Sequence, residues 1–128
     1  MNIDALIARL ETVTGLAGRV VVGTPTQLEH VGDDPMAWVS GLIETASPNH
    51  RVNSPAIQRI DVTAEITLGA KTLDQVQTTR DDVRVALVDF QPEPPGDPMI
   101  FRGSQMEFVD PGWVIWRDEY LYSYYYGN

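Results

Sequence analysis

The feature that most constrains the fold is a strict alternation of apolar and polar residues near the middle of the chain. From Arg59 to Leu68, every second residue is apolar and each residue between is polar. Because successive side chains of a β-strand point to opposite faces, a period of two is typical of a strand with one face in the core. The segment "AIQRIDVTAEITL" is therefore predicted to be a strand whose other face stays polar.

Two segments show helical periodicity instead. An amphipathic helix is predicted over residues 3–14, since apolar residues recur there on one helical face: Ile3, Leu6, Ile7, Leu10 and Val13. Thr72 and Gln75 form a capping box that predicts the start of a second helix. We expect this helix to run to about residue 88, with an apolar stripe of Leu73, Val76, Val83, Leu87 and Phe90. The proline-rich run "QPEPPGDP" should stop it, since proline cannot continue a helix.

Four further strands are predicted, separated by two polar loops. "RVVVG" and "MAWVSGLIETA" precede the alternating strand, and "MAWVSGLIETA" is apolar enough to be partly covered on both faces. The last two strands, "MIFRGSQMEFV" and "WVIWRDEYLYSYYY", should pair as a hairpin across "DPG". The predicted fold is α+β, with the order α-β-β-β-α-β-β and a mixed, mainly antiparallel sheet of about five strands. Two helices are too few to cover both faces, so we expect both on one face and solvent or a partner on the other.

Composition limits the classes of function. A chain of 128 residues is about the length of one domain, and residues 1–128 are predicted to form a single one. The net charge of −9 disfavours attraction to phosphate backbones, and we expect no specific binding of nucleic acid. No apolar run approaches the ~18 residues that would span a bilayer, and the acidic, interrupted N-terminal segment indicates no export signal.

The C-terminal strand is rich in aromatic residues. They fall in both of its rows of alternate residues, which point to opposite faces of a strand. One of these rows, interrupted by Asp118, contains Trp116, Tyr120, Tyr122, Tyr124 and Tyr126. We expect one parity to pack under the helices. Beyond Leu121 the run "YSYYYGN" carries more aromatic surface than a strand end needs, which indicates partner contact as an alternative to packing. The candidates there are Tyr124, Tyr125 and Tyr126.

Catalytic chemistry has little support in the sequence. His30 and His50 lie in separate polar loops without the spacing of a metal site. The simplest interpretation of the acid pairs Asp33–Asp34 and Asp81–Asp82 is solubility and helix or turn charge. No phosphate-binding, nucleophile-elbow or zinc-protease motif occurs. We therefore expect no catalytic residue, cofactor or metal ion.

The element order as a whole carries a resemblance. From "IDALIARLETV" through "TLDQVQTTRDDVRVALVDF" to "MIFRGSQMEFVDPGWVIWRDEYLYSY", the chain resembles the tail terminator (tail completion) proteins of long-tailed bacteriophages and prophages. The resemblance implies a structural subunit that forms a hexameric ring on the end of the tail tube, stops tube polymerisation and offers a surface for head joining. It implies the tail tube protein as partner, with sheath or neck proteins as further neighbours. It also implies a location in the host cytoplasm during assembly and then at the head–tail junction of the virion.

Under that resemblance, polar residues of the alternating strand and of the two loops become candidates for contacts between subunits or with the tube. They are Asp33, Asp34, His50, Arg51, Arg59, Asp61 and Glu65. The alternative for each is an ordinary solvated side chain. Two other classes of protein also remain open: a head–tail connector or neck protein, and a small ligand-binding protein or enzyme, for which a deep polar pocket would be expected.

Overall fold

The computed structural model describes residues 3–25, 33–46, 57–110 and 113–127. Its elements are α1 (Ile3–Leu10), β1 (Val20–Val22), β2 (Met36–Ala46), β3 (Ile57–Ala70), α2 (Leu73–Leu87), β4 (Ile100–Asp110) and β5 (Trp113–Gly127). This order is the predicted one, and the fold is α+β.

The strands form one five-stranded sheet in the order β1-β2-β3-β5-β4. β1 pairs with β2 in parallel, whereas the β2–β3, β3–β5 and β4–β5 pairs are antiparallel. The sheet is therefore mixed and mainly antiparallel, and the closing hairpin is confirmed. The turn residues 111–112 lie outside the described part of the chain.

Both helices pack on the same face of this sheet. One cluster of buried residues joins Leu6 and Leu10 of α1, Val83 and Leu87 of α2, and alternate residues of β3: Val62, Ala64, Ile66 and Leu68. The alternation that predicted β3 thus separates a buried row from a polar row. We call the face under the helices the covered face and the opposite one the open face.

Cross-strand pairing assigns the residues of β5 to the two faces. Direct partners in a ladder share a face, and the buried row of β3 pairs with Trp116, Asp118, Tyr120 and Tyr122. These four residues therefore lie on the covered face. The prediction that one aromatic parity packs under the helices is confirmed.

Helix α1 is shorter than predicted, since it ends at Leu10 and not near residue 14. The chain continues in tighter turns, in which the amide of Val13 donates to Leu10 and that of Leu16 donates to Val13, each at 3.0 Å. Such i to i+3 bonds keep Val13 and Leu16 directed at the core although the α-helix has ended. The apolar spacing therefore predicted the burial of Val13 correctly and the length of the helix wrongly.

Helix α2 begins as predicted and ends for a different reason. The Thr72 hydroxyl accepts from the amide of Gln75 at 3.1 Å. The helix ends at Leu87, and Asp89 follows with a φ of 69°, so the chain has left the helix before the first proline. Leu73, which the sequence assigns to the apolar stripe, is exposed at the first position of α2.

The open face is not polar throughout. At one end, the buried side chains of Trp38 and Ile115 pack together with Met36 and Trp113. Gly69 lies beneath them, and a Cβ there would come within 2.9 Å of both Trp38 and Ile115. This packing confirms that β2 is covered on both faces near its start, while its last residues are exposed.

Candidate interaction surface

The described part of the open face consists of cross-strand rows that change character along the sheet. From the start of β3 onward, the rows are Arg59–Tyr125, Thr45–Asp61–Ser123, Ile43–Thr63–Leu121–Ile100, Gly41–Glu65–Glu119–Gly103 and Trp38–Thr67–Arg117–Gln105. Charged rows therefore flank a row with three apolar members.

The first charged group joins two candidate residues that the sequence proposed. Arg59 Nε donates to Asp61 Oδ1 at 2.8 Å, and the Ser123 hydroxyl donates to the same oxygen at 2.7 Å. These donors, Ser123 first, lower the pKa of Asp61, and Asp61 in turn raises the pKa of Arg59. Tyr125 is the cross-strand neighbour of Arg59, so Arg59, Asp61 and Tyr125 lie together.

The second charged group surrounds Arg117, which sequence reasoning missed. Arg117 Nε lies 3.1 Å from Glu107 Oε1, and its Nη2 donates to Gln105 Oε1 at 3.0 Å. Its Nη1 lies 3.9 Å from Glu65 Oε2. The Glu65 side chain also lies over Gly41, where an added Cβ would meet its Oε2 at 2.7 Å. Glu65 is thus held by contacts within its own chain.

Between these groups lies the isoleucine row: Ile43, Thr63, Leu121 and Ile100. Ile43 is 56% exposed and Ile100 52% exposed, at opposite sides of the row. Arg102 Nη1 donates to the Thr63 hydroxyl at 3.1 Å, so a guanidinium lies along the row. No local sequence pattern indicates this row, because it depends on the register of four strands.

The three candidate tyrosines are divided between the faces. Tyr125 is on the open face and 51% exposed, whereas Tyr124 and Tyr126 have the covered-face parity. Tyr124 packs against the main core, and its hydroxyl donates to Glu44 Oε1 at 2.9 Å. Burial, together with Glu44, raises the pKa of Tyr124 to about 12. Tyr126 is 70% exposed.

The prediction put the boundary between core and exposed aromatic residues at Leu121. The structure puts it between Tyr124 and Tyr125. Tyr122 and Ser123 are buried, and the strand remains paired with β3 as far as Gly127. Pairing with the central strand holds these residues in place. The exposed segment starts at Tyr125, whereas the ring and hydroxyl of Tyr124 have contacts within this chain. A partner contact of these tyrosines stays a prediction.

The loop acids lie at the other end of β3. Lys71 Nζ lies 2.6 Å from Asp33 Oδ1, and the Lys71 ammonium keeps the pKa of Asp33 below its usual value. The Asp33 carbonyl accepts from the Gln75 side chain, and the Asp34 carbonyl accepts from Arg19. These contacts place Asp33 and Asp34 beside the start of α2, away from Arg59. His50 and Arg51 lie outside the described residues.

A buried ion pair on the covered face was also missed. Arg80 of α2 donates to both carboxylate oxygens of Asp118 at 2.9–3.1 Å. Arg80 also donates to Gln77 at 2.7 Å, and its guanidinium lies 4.4 Å from the centre of the Trp116 ring. The sequence did show that Asp118 interrupts an otherwise apolar row of alternate residues in β5. Nothing in the sequence indicated that Arg80 is its partner.

The chemistry of the open face is that of ion pairs and hydrogen bonds. A depression of about 240 Å³ is lined by Ser40, Glu65, Thr67 and Arg117, among others. Ser40 and Thr67 hydroxyls lie 2.8 Å apart, so these groups satisfy one another.

Among residues 3–25, 33–46, 57–110 and 113–127, no group of three or more His, Cys, Asp or Glu side chains could hold a metal ion. No helix in this part of the chain is long and apolar enough to cross a membrane.

A search of curated proteins finds no match. A family model described as phage tail terminator protein matches residues 1–128, the whole chain. The match agrees with the resemblance carried by the element order and indicates contacts with other tail or head proteins of a virion. The chain therefore belongs to the phage tail terminator protein family and has a structural role in a phage tail.

Proposed function

We propose that this protein forms a hexameric ring on the end of the tail tube, stops polymerisation of the tube and offers the surface to which the head joins. The tail tube protein is its main partner, and sheath or neck proteins are further neighbours. It acts in the host cytoplasm during assembly and stays at the head–tail junction of the virion.

The observation that carries this proposal is that both helices pack on the same face of the sheet. Both helices contribute to the core on the covered face, while the open face combines exposed isoleucines with charged groups. Large exposed apolar side chains beside polar groups are typical of protein–protein contacts. A subunit with such a face fits an assembly of several copies on a tube.

The charge of the chain supports a role around passing DNA. A ring of subunits with a net charge of −9 each would repel the phosphate backbone and so would not hold DNA in its bore. Binding to duplex DNA should be weak even at low salt, as measured by filter binding. Tight, salt-sensitive binding would contradict this account of the surface.

The main test uses purified protein with and without tail tubes. Electron microscopy and cross-linking should reveal rings on tube ends, and phage lacking the protein should make tails of abnormal length. Tubes mixed with an unrelated acidic protein serve as the control. Monomers alone in the presence of tubes, together with normal tails in its absence, would overturn the proposal.

The same experiment separates this function from that of a connector or neck protein. A terminator should bind tube ends before any head component is present. Binding to head or neck proteins without binding to tubes would assign the chain to the neck.

A further inference from the structure

We infer that neighbouring copies of this chain join through two different edges of the sheet, β4 of one copy and the last half of β2 of the next. This inference rests on the proposed ring and specifies how its subunits meet. The occupant of each edge is a second copy of the chain.

Both edges present unpaired backbone in the described part of the chain. β1 pairs only with Ala37–Val39, and no described strand pairs with residues 41–46 on the side away from β3. β4 pairs with β5, and no described strand pairs with its other side. Just before Ile100, the Met99 amide donates to Phe90 and the Met99 carbonyl accepts from Asp89, so the free stretch of this edge starts at Ile100. Exposed rows of N–H and C=O groups are templates for pairing with another chain.

Strand directions make the two edges complementary. Because each of the pairs β2–β3, β3–β5 and β5–β4 is antiparallel, β2 and β4 run in opposite directions. A copy related by rotation about an axis along the strands would place its β2 antiparallel beside β4. Contacts between two different surfaces are head-to-tail, and they close into a ring when the rotation divides a full turn.

The isoleucine row supplies matching side chains. Ile43 and Ile100 lie in one row, on one face, at the two edges in question. Continuing the sheet would bring Ile100 of one copy beside Ile43 of the next. Each side chain is more than half exposed in the single chain, so their contact would remove apolar surface from water.

Irregularities in the two strands limit the contact to a short stretch. The register shifts between Val39 and Gly41 in β2, where the pairing with β1 ends. It also shifts between Phe101 and Gly103 in β4. Bulges bend a strand, and the Met99 backbone is already bonded within the chain, so pairing should involve only residues 100–102 of β4 and 41–43 of β2. A short contact of this kind would be strengthened by the tube end on which the ring assembles.

Introduced cysteines provide the test, because the chain has none of its own. Within one chain, three strand spacings separate Ile43 from Ile100, about 14 Å, which is too far for a disulfide. Under mild oxidation of assembled rings, the double variant Ile43→Cys/Ile100→Cys should give a ladder of cross-linked species up to the hexamer. Each single variant alone should stay monomeric on a non-reducing gel, and a mixture of the two should give dimers only.

A matched control is the pair Ile43→Cys and Val85→Cys, since Val85 is largely exposed on α2, on the other side of the sheet. This pair should not cross-link. Circular dichroism verifies that each variant folds, and Ile100→Asp, which places a charge at the same contact, should abolish rings independently.

Rings that form without the Ile43–Ile100 cross-link, or dimers from one single variant, would overturn the edge contact while leaving the proposed ring intact. Absence of rings from the unaltered protein on tubes would instead overturn the proposed function.

Discussion

Two ion pairs on opposite faces of the sheet have nearly the same length and very different surroundings. Arg80 and Asp118 approach to 2.9 Å with side chains only 8% and 1% exposed. Arg59 and Asp61 approach to 2.8 Å with side chains 50% and 36% exposed. Water can replace a partner lost from the exposed pair but not from the buried one. Loss of one partner should therefore cost far more stability on the covered face than on the open face.

The largest effect should come from breaking the buried pair. Asp118→Ala leaves the Arg80 guanidinium without its charge partner between α2 and β5, which should lower the free energy of unfolding by about 3–5 kcal/mol. Urea denaturation would measure the loss.

The double variant Arg80→Met/Asp118→Leu is the control for this change. It removes both charges and should recover much of the lost stability, because apolar side chains of similar size can replace a buried pair. If Asp118→Ala is no more destabilising than Asp61→Ala, the contrast between the faces is wrong.

The next effect concerns the aromatic packing around that pair. Trp116 packs against the buried residues Ala70, Val76 and Val114, and Arg80 stacks on its ring. Trp116→Ala should cost about 3 kcal/mol, at the low end for an aromatic residue because the ring is partly exposed.

Thermal unfolding provides the measurement for Trp116→Ala. Tyr125→Ala is the matched control, since Tyr125 lies in the same strand but is exposed on the open face. If both variants lowered the melting temperature equally, packing on the covered face would not explain the effect of Trp116→Ala.

The contrast between the faces was only partly predictable from the sequence. The alternation in β3 depends on neighbours along the chain, so it predicted both faces of the strand correctly. The partner of Asp118 lies 38 residues away on α2, and only the packing of the helix on the sheet brings the two together. The isoleucine row similarly requires the register of four strands, to which single-strand patterns are insensitive.

The C-terminal strand shows the same limit. Its parities followed from alternation, but its exposed end was misplaced because chain termini are often poorly ordered unless tied down. Here β5 lies between β3 and β4 in the sheet order, and its last residues, beyond the pairing with β4, stay paired with β3 as far as Gly127. Which strand a terminus joins is a property of topology and not of local sequence.

A smaller effect should appear in the pH dependence of stability. Ser123 and Arg59 lower the pKa of Asp61, so the ionised carboxylate favours the folded state. This contribution is present above the unfolded pKa, about 3.9, and is lost as the pH falls through the lower folded pKa.

Asp61→Asn should therefore lower the melting temperature slightly at neutral pH, and the difference from the unaltered protein should shrink as the solution is acidified below about pH 4. Thermal scans across that range measure it. A difference that grows on acidification would contradict the sign of the pKa shift.

The smallest effect on stability, with a large effect on assembly, is expected for the exposed end of β5. Removing residues 125–128 deletes Tyr125 and Tyr126, which are exposed, but keeps Ser123 and Tyr124 with their bonds to Asp61 and Glu44. Thermal unfolding should change little, whereas ring formation and tail completion should weaken, since aromatic side chains commonly dominate interface energies. Removing residues 123–128 is the matched comparison, and it should lower the melting temperature clearly because it cuts into the buried part of the strand. If the shorter deletion destabilises the monomer as much as the longer one, Tyr125 and Tyr126 belong to the core; if it leaves tail completion unchanged, they have no part in assembly.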